Sequence, residues 1–142
     1  GDLNFNRLVP GTILSVLRGE APIIRSDGTY VRDYLYIRDA ANACLTLAEA
    51  RESESLWGRA FNFSSELRLT AREMVDKILG LMGRVDLEPV ILNSATNEIS
   101  AQYLSSQRAR DVLGWSPKYS LEESLKGTIE WYRGFYNKGE WT

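Results

Sequence analysis

The stretch Tyr30-Val31-Arg32-Asp33-Tyr34-Leu35-Tyr36-Ile37-Arg38-Asp39 constrains this chain more than any other. Apolar and aromatic residues fill Tyr30 to Ile37, which predicts a β-strand. Asp39 then predicts the cap of a helix over residues 40–51, rich in alanine and leucine. Arg32 lies in the middle of the strand, where a buried charge must be paired or must hold an anion. A planar guanidinium gives two parallel hydrogen bonds to a phosphate. The strand therefore predicts a phosphorylated ligand, with a structural ion pair to Asp33 or Asp39 as the alternative.

Around this strand the periodicities alternate. Leu8, Ile13, Val16 and Leu17 predict a helix that starts near Val9 or Pro10, since proline is tolerated only in a first turn, and that stops at Gly19. Pro22 to Arg25 reads as a short strand. Ser26-Asp27-Gly28-Thr29 reads as a turn that makes a hairpin with the strand after it. Ala60-Phe61-Asn62-Phe63-Ser64 has the pattern of a short buried strand, and residues 87–92 of another. Thr70 to Glu73 and Ser120 to Glu123 are capping boxes, each opening a helix with apolar residues three and four apart. Gly83 closes the first of these helices. A further helix runs from Ser105 or Ser106 to Leu113. The tail after Asn137 is expected to fray. The layout is a small mixed α/β lobe with four or five helices, its strands too few and short for a complete doubly wound sheet.

Composition narrows the chemistry. A chain of 142 residues has the size of one domain. Its net charge of -2 argues against non-specific nucleic-acid or membrane-surface binding. The 13 arginines against 4 lysines reflect either bidentate anion contacts or base composition. Cys44 is alone, which fits a cytoplasmic protein, and its helical setting predicts a small core residue. Trp57, Trp115 and Trp131 are placed for packing, not as sugar platforms. There is no histidine, G-x-G-x-x-G or Walker loop. Tyr34 is followed four residues later by Arg38 and not by lysine, and a guanidinium cannot relay a proton. Catalytic residues and metal ligands are not evident.

The segments "LNFNRLVPGTI", "RDYLYIRDAANACLTLAE", "AFNFSSE", "QYLSSQRARDVLGWSPKYSLEESL" and "GTIEWYRGFY" together resemble the carboxy-terminal half of an extended short-chain dehydrogenase/reductase. The subgroup is the nucleotide-sugar epimerases and dehydratases, nearest to the CDP-glucose 4,6-dehydratases. The resemblance implies that residues 1–142 form the nucleotide-sugar-binding domain of a longer protein, a piece consistent with a start at Gly1-Asp2 without methionine. It implies a missing amino-terminal Rossmann domain holding NAD(P), no cofactor on this piece, a CDP-hexose substrate and a possible homo-oligomer. It also implies that the isolated piece is inactive. Alternatives are an epimerase or reductase acting on a UDP, GDP or dTDP sugar, or a free-standing nucleotide-binding module. An apolar face toward a missing domain is expected at Leu3, Phe5, Val9 or Tyr36.

Position by position, the resemblance implies that Arg32 grips the diphosphate. It implies that Arg7, Leu8 and Pro10 line the nucleotide and that Ile24 and Arg25 cover the base. Arg7 is otherwise an exposed residue of the helix lead-in, Ile24 core and Arg25 surface. Asn62, an amide in an apolar strand, reaches Arg32 or the ligand, or else stabilises a turn. Gln102 and Tyr103 match the late nucleotide-contacting segment. There, many relatives carry an arginine or a glycine-containing motif, and this chain carries Asn97-Glu98-Ile99-Ser100-Ala101.

Overall fold

The computed structural model describes residues 1–52, 54–96 and 98–139. The chain runs α1 (Leu8–Arg18), β1 (Ile23–Ile24), β2 (Val31–Arg32) and α2 (Ile37–Glu49), then two short 3₁₀ turns. It continues through β3 (Leu69–Thr70), α3 (Ala71–Met82), β4 (Val90–Ile91), β5 (Ala101–Gln102), α4 (Gln107–Leu113) and α5 (Leu121–Asn137). This is the mixed α/β lobe of five helices and short strands that the sequence predicts.

Local signals set the helices. Thr70 and Glu73 exchange side-chain and backbone hydrogen bonds at the start of α3, and Ser120 and Glu123 do the same at α5. Gly83, at φ 68°, ends α3 in the left-handed region that side chains with a Cβ resist. α1 begins one residue before Val9, with Pro10 inside its first turn, where no intrahelical donor is lost. Ile13 of α1, Met74 and Ile78 of α3, and Leu125, Ile129 and Tyr132 of α5 then pack as one core. Val16, Ile24, Ala71, Val75 and Leu79 extend it under β1. A separate cluster joins Ala43, Ala109 and Trp115, with Phe63 edge-on to the Trp115 ring at 4.9 Å.

The strands depart from expectation. β1 and β2 do not form a hairpin: β1 pairs parallel with β4, Ile23 opposite Val90. β2 is the centre of a second sheet in the order β3-β2-β5, with Arg32 opposite Leu69 on one side and Gln102 on the other. The intervening turn explains the change of sheet. Asp27 accepts from the amide and hydroxyl of Thr29, and the Gly28 carbonyl accepts from the Arg72 amide. That tie swings β2 over the start of α3 and away from β1.

The strand expected over residues 30–37 is two residues long, because the chain leaves the ladder at Asp33 and turns into α2 at Ile37. Asp39 is not a cap. It lies buried in the first turn of α2 and accepts from the Lys118 amide at 2.8 Å. Residues 60–64 join no ladder. Cys44 is exposed, and its neighbour Ala43 fills the core position instead. Trp115 is buried as expected, whereas Trp57 is largely exposed and Trp131, stacked on Phe135, is exposed along one side. Of the tail expected to fray, residues 140–142 lie outside the described residues.

Truncation of Ile78 to alanine is expected to destabilise the chain by about 2–5 kcal/mol through cavity formation in the α1–α3–α5 core. Thr70→Ala, which removes a cap alone, is expected to cost about 1 kcal/mol. Urea denaturation followed by circular dichroism checks both values and their order.

Candidate nucleotide-binding site

β2 carries Arg32 into a cavity of about 280 Å³ lined also by Asp33, Phe63, Ser64, Gln102, Tyr103 and Leu104. The Arg32 side chain is partly buried, 28% exposed, so its guanidinium reaches the cavity rim. One arm donates to the Val31 carbonyl at 2.9 Å, and the guanidinium lies 5.8 Å from the centre of the Tyr30 ring. Neither carboxylate considered from the sequence pairs with it. Among the described residues, its ion-pair partner is Glu98 at 3.3 Å.

Asp33 is occupied elsewhere. Its Oδ2 accepts from the Ser64 hydroxyl and from the Leu104 amide at 3.3 Å. Ser64 Oγ also accepts from the Glu66 amide, and Ser106 Oγ donates to the Ser64 carbonyl. These bonds draw residues 64–66 and 104–106 together beside β2, closing the wall of the cavity. Alongside, the Arg68 guanidinium stacks 3.9 Å from the centre of the Tyr103 ring.

Burial pushes the Tyr34 phenol up from its ordinary pKa, with the Arg32 charge opposing in part. Burial thus adds to the preference of Tyr34 for its neutral form.

The sequence-derived residues fall into three groups. Arg32, Gln102 and Tyr103 meet around the small cavity. Arg7 and Pro10 line a separate, larger cavity of about 690 Å³ with Tyr34, Tyr36, Tyr119 and Trp131. There Gly127 permits close approach of the Tyr36 hydroxyl, which would lie 2.7 Å from any Cβ at that position. Arg7 itself is exposed and bound to Asp2 at 2.9 Å. Leu8 packs against the core, and Ile24 is buried within it, away from both cavities. Arg25 is exposed and bonds Asn6 Oδ1. Asn62 is exposed, not the buried amide its apolar neighbours suggest, because only Phe61 and Phe63 turn toward the Trp115 cluster. Arg68 and Ser64 escaped the sequence reading. Arg68 sits in the polar run before a capping box, and only the β2–β3 register places it beside the site.

Three comparisons fit this geometry. The model of the NAD dependent epimerase/dehydratase family matches residues 1–63. UDP-glucose 4-epimerase of Mycolicibacterium smegmatis is 29% identical over 84% of this chain and 36% of its own length. dTDP-glucose 4,6-dehydratase 1 of Escherichia coli is 26% identical over 89% of the chain and 36% of its own length. Among solved structures, UDP-glucose 4-epimerase of Thermotoga maritima with UDP-glucose superposes at TM-score 0.79 and 30% identity, covering 92% of this chain and 40% of that one. dTDP-glucose 4,6-dehydratase of Bacillus anthracis in complex with NAD gives TM-score 0.78 at 25% identity, over 96% and 41%.

The chain's first 63 residues match the model of the NAD dependent epimerase/dehydratase family, and along most of its length the chain is similar to nucleotide-sugar epimerases and dehydratases. It spans about two fifths of the length of these relatives.

Ser64→Ala removes a donor from a carboxylate whose other oxygen is buried without a partner. It is expected to cost about 1–3 kcal/mol of stability. Asp33→Ala, which frees both the Ser64 and Leu104 donors, is expected to cost at least as much. Urea midpoints of the two variants check this.

Proposed function

We propose that this chain, residues 1–142, is the nucleotide-sugar-binding lobe of an NAD-dependent nucleotide-sugar 4,6-dehydratase or epimerase. The observation that carries the reading is Arg32, a partly buried guanidinium held at the rim of an open cavity by its own strand, with Gln102 on the neighbouring strand and Tyr103 directly after it. A fixed guanidinium suits a diphosphate, and a tyrosine beside it suits a base or sugar face. The relatives are named for UDP- and dTDP-sugars, and the chain's own motifs favour a CDP-hexose. All three are pyrimidine nucleoside diphosphate sugars, and that is the ligand class proposed.

The chain has no glycine-rich strand–turn–helix. The NAD in the family's name is therefore assigned to none of its residues, and no redox step is placed on them. The lobe's proposed part is to position the sugar.

The redox half is proposed to be a Rossmann domain seated on α2. Ile37, Ala41, Cys44, Leu45 and Ala48 form an exposed apolar stripe on that helix, with Ile37 73% and Leu45 60% exposed. Its opposite side, through Asp39 and Ala43, is already buried. A helix whose apolar stripe faces outward while its other side is already packed calls for a second layer. The relatives' remaining three fifths of length is enough chain to supply one. The face foreseen from the sequence is different: of Leu3, Phe5, Val9 and Tyr36 only Leu3 is exposed, while Phe5 and Val9 pack against the core and Tyr36 meets Tyr119 edge-on.

Calorimetric titration of the chain with CDP, UDP, dTDP and GDP is expected to show the pyrimidine diphosphates binding ahead of GDP. Arg32→Ala is expected to weaken them about ten- to hundredfold, the value of a charge-assisted hydrogen-bond pair. Equal binding by Arg32→Ala would remove Arg32 from the site and end the proposal.

The doubly charged variant Ile37→Lys/Leu45→Lys is expected to lower concentration-dependent self-association of the chain in sedimentation velocity, without change in circular dichroism. Unaltered association would show that the α2 stripe is not the sticky face.

A further inference from the structure

Among the described residues, Arg32–Glu98 is the longest ion pair. Seven others range from 2.6 to 2.9 Å. Arg32–Glu98 is 3.3 Å and made by one oxygen, its arginine side chain 28% and its carboxylate side chain 50% exposed. The two residues are 66 apart in sequence. Glu98 sits two residues before Ser100, whose carbonyl accepts from the Val31 amide at 2.8 Å and starts the β2–β5 pairing. The backbone that carries Glu98 is thus anchored beside β2, and its carboxylate reaches the guanidinium across a short gap.

We propose that Glu98 is a built-in competitor for the anion site of Arg32: a carboxylate that occupies the guanidinium when no phosphate is bound and yields when a diphosphate arrives. The proposal rests on the diphosphate reading of Arg32. Three features make the exchange favourable. A half-exposed, singly bonded pair is worth little, so releasing it costs little. A diphosphate carries more charge and can bond the guanidinium in two places. The swap needs only a side-chain rotation of Glu98, because the Ser100–Val31 anchor stays formed.

The consequence is a small, uniform cost on every anion at Arg32, because each must displace the same carboxylate. A small anion that binds the partly buried guanidinium alone has little affinity to spare, whereas a ligand also held through its base and sugar stays bound.

The experiment is a double-mutant cycle on the full 142-residue chain, with wild type, Glu98→Gln, Arg32→Ala and the double variant. UDP binding is read by calorimetry at low and high sodium chloride. Glu98→Gln is expected to tighten UDP about two- to fivefold at low salt, with the gain shrinking as salt screens the pair. The gain is expected to vanish in the Arg32→Ala background. Glu98→Asp, whose carboxylate stops one methylene short, is expected to behave like Gln.

If Arg32→Ala weakens UDP while Glu98→Gln leaves it unchanged or weaker, Glu98 is not a competitor and the diphosphate reading stands. If Glu98→Gln tightens UDP equally with and without Arg32, the effect is general repulsion and the competitor is likewise overturned. If neither single variant alters UDP binding, both readings fall together.

Discussion

The candidate site is organised by one carboxylate, Asp33. The hydroxyl of Ser64, 31 residues away, and the amide of Leu104, 71 residues away, both donate to its Oδ2. A partly buried carboxylate is costly unless it is satisfied, and its Oδ1 has no partner among the described residues. The two bonds at Oδ2 are thus what makes Asp33 tolerable where it sits, and they converge three distant segments on the residue after Arg32. Because Asp33 is committed to Ser64 and Leu104, it does not neutralise its neighbour. The guanidinium is left facing the cavity, and its charge is met among the described residues by the looser Glu98 pair.

What was legible in the sequence was what is local. The capping boxes at Thr70 and Ser120 and the stop at Gly83 depend on neighbours within a turn, and the structure forms each one. Strand partners were not legible, because every ladder here is two residues long and joins segments far apart. Two-residue strands leave almost no periodic trace. Residues 30–37 and 60–64 have the composition of strands, yet composition reports a buried apolar surface and not a hydrogen-bond partner. The same limit explains Asn62 and Cys44. Each sits among apolar residues in sequence, and each faces outward because its neighbours, Phe61 and Phe63 or Ala43, take the inner positions. For the site, Arg32 was legible because an arginine inside an apolar strand is anomalous. Arg68 was not, since a polar run before a helix is ordinary.

The mismatch around α2 is physically informative. Phe61, Phe63 and Leu35 cover the Trp115 cluster, but the backbone of residues 60–63 joins no sheet and the outer stripe of α2 meets no second layer. A strand-like sequence without a ladder and a helix whose apolar stripe faces outward are the same kind of unmet demand. The Rossmann domain proposed against α2 would meet both, since it would offer apolar surface and a sheet edge together.

The charges around Arg32 bear on the division of labour. Arg32 is one positive charge, Asp33 and Glu98 are two negative ones, and Arg68 lies to the side over Tyr103. Left so, the neighbourhood does not attract a diphosphate strongly. Releasing Glu98 leaves Arg32 free but still flanked by Asp33, so the ligand's remaining charge has to be met by groups beyond this cavity, with Arg68 and backbone amides of an apposed domain the nearest kinds of donor. Burial favours the neutral phenol of Tyr34 further still, and a guanidinium stays protonated. On the proposed reading, such a lobe grips one end of a nucleotide sugar and fixes its direction. That is the contribution needed from a surface whose partner carries the reacting groups, because orientation supplied here lowers the barrier there without any chemistry of its own.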